Sequence, residues 1–141
     1  GGLGRDRRVK VLGRKPLCEV LAFYREFDVF LYPSLNDSGA FTVIEAMASG
    51  LPVICLERGG PSLSETEACG KKVVPGSRQE TVTGLSQAVE YYLQNPRMLL
   101  RQGDAGRKRV AEVYDWETKA YEMFKLYESV ISRGARDERQ S

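Results

Sequence analysis

Short apolar runs alternate along the chain with stretches in which apolar residues recur every three or four positions. RVKVL (8–12) predicts a strand, and PLCEVLAFYREF (16–27) a helix. Pro16 suits the first helical position, where a missing amide costs nothing. DVFLYP (28–33) predicts a strand ended by Pro33, apolar on both faces as an interior parallel strand is. AFTVIEAMAS (40–49) predicts a helix stopped by Gly50, and PVICL (52–56) another interior strand. GGPS (59–62) reads as a turn, with Ser62 and Glu65 spaced as a capping box for a short helix. KKVV (71–74) is a last, shorter strand. From residue 79 the pattern is helical throughout, with Val82, Leu85, Val89 and Leu93 marking one face. Asn95-Pro96 opens a helix over 96–113, and Asp115 caps the next, in which Trp116, Ala120, Met123, Tyr127 and Val130 form one apolar stripe. Residues 1–132 read as one domain and 133–141 as a charged tail expected to be disordered.

The alternation predicts an α/β fold: a Rossmann-like parallel sheet with flanking helices, right-handed crossovers and a helical C-terminal end. In such sheets ligands collect at the carboxyl ends of the strands, where helix N-termini also point. Residues 33–41 form one of those edges.

Composition narrows the chemistry. A chain of 141 residues is one domain or a piece of one, and 42% hydrophobic residues suffice for a core. A net charge of +2 gives no footprint for nucleic acid. No apolar run approaches the ~20 residues of a membrane span, and GGLGRDRRVK has no signal-peptide core. The three cysteines, Cys18, Cys55 and Cys69, are odd in number and widely spaced, which fits a reducing cytoplasm. There is no histidine, so imidazole zinc sites, Ser–His and Cys–His nucleophiles and a histidine base are excluded. Chemistry here must use carboxylates, Lys or Arg, hydroxyls, thiols or backbone dipoles.

Against that background, Glu45 stands out, a carboxylate in the middle of an otherwise apolar helix. At ~100° per residue, its strip holds Phe41, Thr42, Ala48 and Ser49, while Val43 and Met47 lie opposite. A buried carboxylate needs donors. They come either from internal backbone or an Arg, or from ligand hydroxyls in a cleft. A ribose diol suits the second case, because two adjacent hydroxyls match two carboxylate oxygens. The helix start, SGAFT (38–42), offers amides and a positive dipole end to phosphate, and Gly39 allows close approach. Asp37 is either an N-cap acid or a second ligand contact.

The run YPSLNDSGAFTVIEAMASGLPVICLERGGP (32–61) resembles the donor-site signature of GT-B fold retaining glycosyltransferases of family 4, the glycosyl transferases group 1. That signature is a Glu, seven residues, a second Glu, then A-x-A-x-G-x-P-V and a Gly-Gly turn. Glu45 holds the second position, and Asp37, one methylene shorter, holds the first. VKVLGRKPLCEVLAFYREFDVFLYPS (9–34), GKKVVPGSRQETVTGLSQAV (70–89) and YDWETKAYEMFKLYESV (114–130) are similar to the flanking segments.

The resemblance implies that Glu45 binds the ribose hydroxyls of a sugar nucleotide and that Asp37 contacts the transferred sugar, the two forming the catalytic pair. The backbone of Gly39, Ala40, Phe41 and Thr42 would hold sugar and diphosphate. The loop Gly13-Arg14-Lys15 would lie against the base, although solvated surface charge explains Arg14 and Lys15 as well. It implies a C-terminal, N-terminally truncated donor-binding domain. The acceptor, a glycan or lipid, would be bound by a domain not in this sequence, as would the Arg and Lys that neutralise the leaving diphosphate. The sugar nucleotide is a substrate; no cofactor, no metal and no nucleic acid are implied. Peripheral membrane association of the parent and self-association of the fragment are open. Three other readings compete: a glycosidase using Asp37 and Glu45, a non-catalytic nucleotide-binding or docking module that needs a partner domain, and an epimerase of the same fold.

Overall fold

The computed structural model describes residues 8–64 and 67–137. Three parallel strands, β1 (Phe30–Tyr32), β2 (Val53–Leu56) and β3 (Gly70–Val73), lie in the order β1-β2-β3. Phe30 pairs with Val53, and Val53 with Gly70. Six helices accompany them among the described residues: α1 (Leu17–Tyr24), α2 (Phe41–Ala48), α3 (Gly59–Ser64), α4 (Arg78–Gln94), α5 (Arg97–Val113) and α6 (Trp116–Asp137). This is the expected Rossmann-like α/β arrangement with a helical C-terminal end.

Successive strand residues point to opposite faces, and β2, wholly buried, therefore builds two cores. Val53 and Cys55 pack with Tyr24, Val43, Ala46, Met47 and Leu51 on the face covered by α1 and α2. Ile54 and Leu56 pack with Val73, Ala88 and Tyr92 on the face covered by α4. Helix α5 reaches both, through Ala105 and Val110 on one side and Met98 and Leu99 on the other. A buried polar bridge pins it: the Tyr92 hydroxyl donates to Gln102 Oε1 (2.7 Å), and Gln102 Nε2 donates to the carbonyls of Glu67 (2.8 Å) and Gly70 (3.0 Å). Each polar atom is answered, so the buried amide carries no unmet hydrogen bond.

Several expected elements are revised. Residues 8–12 form no strand; a strand exists only through pairing, and no partner for it lies among the described residues. β1 consequently stands at the edge of the described sheet rather than inside it, with Leu31 exposed. GGPS is the first turn of α3, not a free turn. Ser62 lies inside that helix and donates to the Gly59 carbonyl, and Glu65 lies outside the described residues. The capping box belongs to α4, where Ser77 and Glu80 exchange bonds (Glu80 N to Ser77 Oγ 3.3 Å, Ser77 N to Glu80 Oε2 2.7 Å). The inward face of α4 runs through Ala88 and Tyr92, while Val82, Val89 and Leu93 are exposed. Asn95 caps the end of α4, its Nδ2 donating to the Tyr91 carbonyl. Asp115 caps α6 as expected, accepting from the amides of Glu117 and Thr118. Helix α6 runs through Asp137, into the segment read as a disordered tail; residues 138–141 lie outside the described residues. The apolar stripe on α6 is exposed, Trp116 by 83%.

Candidate functional site

The carboxyl end of β1 leads through residues 33–40 into α2, and this turn is tied down at three points. Asp37 Oδ1 accepts from the amides of Gly39 (2.9 Å) and Ala40 (3.0 Å). Its Oδ2 accepts from the Tyr32 hydroxyl at the end of β1. Its carbonyl accepts from the Gly60 amide (2.8 Å) in the first turn of α3. The two glycines of α3 permit that approach: a Cβ at Gly59 would stand 2.7 Å from the Asp37 carbonyl oxygen, and one at Gly60 2.5 Å from that of Ser38. Those distances leave no room for a side chain.

Within this turn Ala40, the residue preceding α2, is left-handed (φ 47°, ψ 35°) and only 2% exposed. A non-glycine residue there is disfavoured by about 1–2 kcal/mol, so its neighbours must hold it. Its carbonyl does so from inside, accepting from Val43 (2.9 Å) and Ile44 (3.2 Å). Asp37 does so from outside.

The electrostatics follow from the contacts. The Tyr32 bond, then the two amides, hold the Asp37 carboxyl below its ordinary range. Asp37 in turn raises the Tyr32 phenol, an effect that the hydroxyls of Thr42 and Ser34 oppose. A carboxylate offers about four lone-pair directions, and protein donors use three of these. Asp37, expected to contact a sugar, therefore faces the protein in this structure. The amides of Gly39 and Ala40, expected to face a ligand, are likewise taken by Asp37. The first two amides of α2, at Phe41 and Thr42, make no hydrogen bond within the described residues.

Glu45 has different surroundings. It is half-buried on α2, and its carboxylate has neither a hydrogen-bond donor nor a cation partner among the described residues. Val43, Ala46 and Met47, on the other side of the helix, are fully buried, so the acid's strip looks away from the core. Beside it lies Tyr24, whose phenol is raised first by burial and then by the charge of Glu45. Tyr24 also lines a hollow of about 270 Å³, together with Leu12, Gly13, Lys15, Phe30 and Leu51. The loop expected to meet the base thus borders the same quarter of the molecule as Glu45. Gly13 is left-handed (φ 67°), Lys15 pairs with Glu19 (3.0 Å), and Arg14 is exposed and does not line the hollow.

A larger groove of about 690 Å³ runs between α2 and α6. Phe41, 71% exposed, forms its edge, and Ile44, Tyr114, Trp116, Met123 and Leu126 make it mostly apolar. The polar strip with Glu45 and the free amides fits a nucleotide better than this apolar wall does. Two participants escaped the sequence reading. Tyr32 was one residue of an apolar strand, and only the spacing of a tyrosine five residues before an Asp hinted at it. Tyr24 was one helix residue among several.

No helix among the described residues is long and apolar enough to cross a membrane. Nor do three His, Cys, Asp or Glu side chains come together there as a metal site would require.

The comparisons with known proteins agree with this fold. The chain is 33% identical over 119 residues to the MMP alpha-(1->4)-mannosyltransferase of Mycolicibacterium hassiacum, covering 83% of this chain and 28% of that protein. It is 28% identical over 130 residues to a D-inositol 3-phosphate glycosyltransferase of Corynebacterium glutamicum, covering 92% and 30%. In structure it is similar to the sucrose-phosphate synthase of Thermosynechococcus elongatus, with a TM-score of 0.76 and 29% identity, over 89% of this chain and 31% of that one. The chain thus spans under a third of the length of each of these proteins. The profile of the family described as Glycosyl transferases group 1 matches residues 3–109, and the chain belongs to that family.

Proposed function

We propose that this chain is the donor-binding part of a retaining glycosyltransferase of family 4, which takes a sugar from a nucleotide and passes it to a glycan or lipid acceptor held by a further domain. One observation carries the reading: the half-buried Glu45 carboxylate has no protein donor and stands on the helix whose first amides, at Phe41 and Thr42, are unbonded. The ribose hydroxyls supply the donors that Glu45 lacks. The diphosphate meets the amides and the positive end of α2. The base lies toward the Gly13 loop and the Tyr24 hollow. When the sugar–phosphate bond breaks, charge grows on the leaving diphosphate, and preorganised dipoles aimed at it lower the barrier without reorganising. The Arg and Lys that complete this stabilisation in the family belong to the part of the protein outside this sequence. Closure of the acceptor domain over the site keeps water from the sugar. Three cysteines, odd in number and widely spaced along the sequence, fit a cytoplasmic setting.

Titration calorimetry of the chain with UDP, GDP and ADP tests the reading. One of the three is expected to release or absorb heat at sub-millimolar to millimolar concentration. The absence of heat with all three at millimolar ligand favours the second reading, a module that docks without binding nucleotide. The exposed apolar groove between α2 and α6 is the feature that keeps that alternative in play.

A further inference from the structure

We propose that the Tyr24 hydroxyl is a second contact for the nucleotide's ribose: it donates to a ribose hydroxyl that in turn donates to Glu45, so that one ligand hydroxyl joins the two side chains. The inference rests on the donor-site reading above and adds to it a residue outside the run 32–61.

Tyr24 is the last residue of α1, and its ring is held in place. It stands edge-on to Phe30, with centroids 5.5 Å apart, and packs in the core with Val43, Ala46 and Leu51. The residue is only 6% exposed, yet its hydroxyl makes no hydrogen bond with any described residue. A buried phenol normally finds a partner. Tyr92, 3% exposed, does so in Gln102, and the half-buried Tyr32 does so in Asp37. Tyr24 is the exception, and it is not sealed away: it lines the hollow of about 270 Å³ that Gly13 and Lys15 border.

Its neighbour explains what the hydroxyl is for. Glu45 is near enough for its charge to bear on the phenol, and burial and that charge together raise the phenol above its ordinary value, so it stays a donor. The two groups nevertheless do not bond to each other. A donor without an acceptor thus lies beside an acceptor without a donor. A ligand hydroxyl answers both, because it gives one proton and accepts at its oxygen. An amine would serve only the carboxylate, and a carbonyl only the phenol. The relay from phenol to ribose hydroxyl to carboxylate leaves each group met, and bonds in such a chain polarise one another.

The test uses titration calorimetry with UDP, GDP and ADP on the unaltered chain and on Tyr24→Phe, adding the 2′-deoxy and 3′-deoxy forms of the nucleoside diphosphate that binds. Tyr24→Phe is expected to weaken the ribose form about fivefold, and the one deoxy form that lacks the bridging hydroxyl by less than about twofold. The melting temperature is expected to stay or rise, because the ring remains and the hydroxyl loses no protein partner. Equal losses for all three forms would place the effect in packing rather than at the ribose. Losses reduced alike in both deoxy forms would make Tyr24 a support for Glu45 instead of a ligand contact. No loss for the ribose form, a lowered melting temperature or a failure to fold would show the hydroxyl serving the protein. Each of these overturns the inference and leaves the donor-site reading standing. Binding of none of the three diphosphates by the unaltered chain removes the donor-site reading and the inference with it.

Discussion

Asp37 and Glu45 are two acids eight residues apart at one end of the sheet, and the structure treats them in opposite ways. Asp37 is half-buried, and three protein donors address its carboxylate. Glu45 is half-buried, yet its carboxylate meets no donor among the described residues. Burial does not separate the two acids, since both are half-buried; hydrogen-bond accounting does. A polar group that is answered from within is part of the scaffold wherever it lies. One that is partly desolvated and unanswered awaits something.

The contrast can be broken from the scaffold side first. Gly60→Ala puts a methyl 2.5 Å from the Ser38 carbonyl oxygen, and such overpacking costs roughly 1–3 kcal/mol. Denaturant melts should show that loss, and nucleotide affinity should fall with it because the turn ahead of α2 is displaced. If stability and binding both survive, the turn is not clamped as described. The ligand side comes next. Glu45→Gln should weaken the nucleoside diphosphate that binds by about 1–3 kcal/mol, as for a lost charged hydrogen bond, with the melting curve unchanged. Unfolding without any change in affinity would make Glu45 structural after all.

The smallest effect is in pH. The folded Asp37 carboxyl titrates below its ordinary value, so it contributes stability above about pH 4, and this is lost as pH falls through the lowered value. The folded Tyr32 phenol titrates above its ordinary value, so its contribution is present below about pH 10 and is lost as pH rises beyond that. Thermal melts from pH 2 to 6 should be flatter for Asp37→Asn than for the unaltered chain.

What could be read from the sequence was what depends on neighbours along the chain. The run PVICL announced a fully buried strand, and the wheel around Glu45 placed Val43 and Met47 on the side that the structure buries. Asp115 was legible as a cap because its bonds close within three residues. Features that depend on pairing were not. RVKVL has a strand's composition, but a ladder needs a second strand, and that information is not local. The S-x-x-E spacing occurs at both 62–65 and 77–80, and only the helix start chooses between them. On α4, hydrophobicity pointed to Val82, Val89 and Leu93, whereas the shape of the groove over β2 and β3 selects small Ala88 and flat Tyr92. The tie from Gly60 to Asp37 spans two elements, so a Gly-Gly pair looked like a turn rather than a place where two backbones touch.

The two ends of α2 are held very differently. At its carboxyl end Gly103 lets α5 lie against the Gly50 carbonyl, where a Cβ would stand 2.1 Å from the oxygen, and Arg107 Nη1 donates to the Ser49 carbonyl (3.4 Å). Helix α5 is itself anchored on β3 through Gln102. That end is a fixed mount. The other end is held by the buried Ala40 and Val43 and by the ties that Asp37 makes to β1, to its own turn and to α3. Mechanically, α2 is a rod fixed at its tail by a helix and at its head by a short knot of hydrogen bonds, so what aims the head is the knot between Asp37 and Gly60.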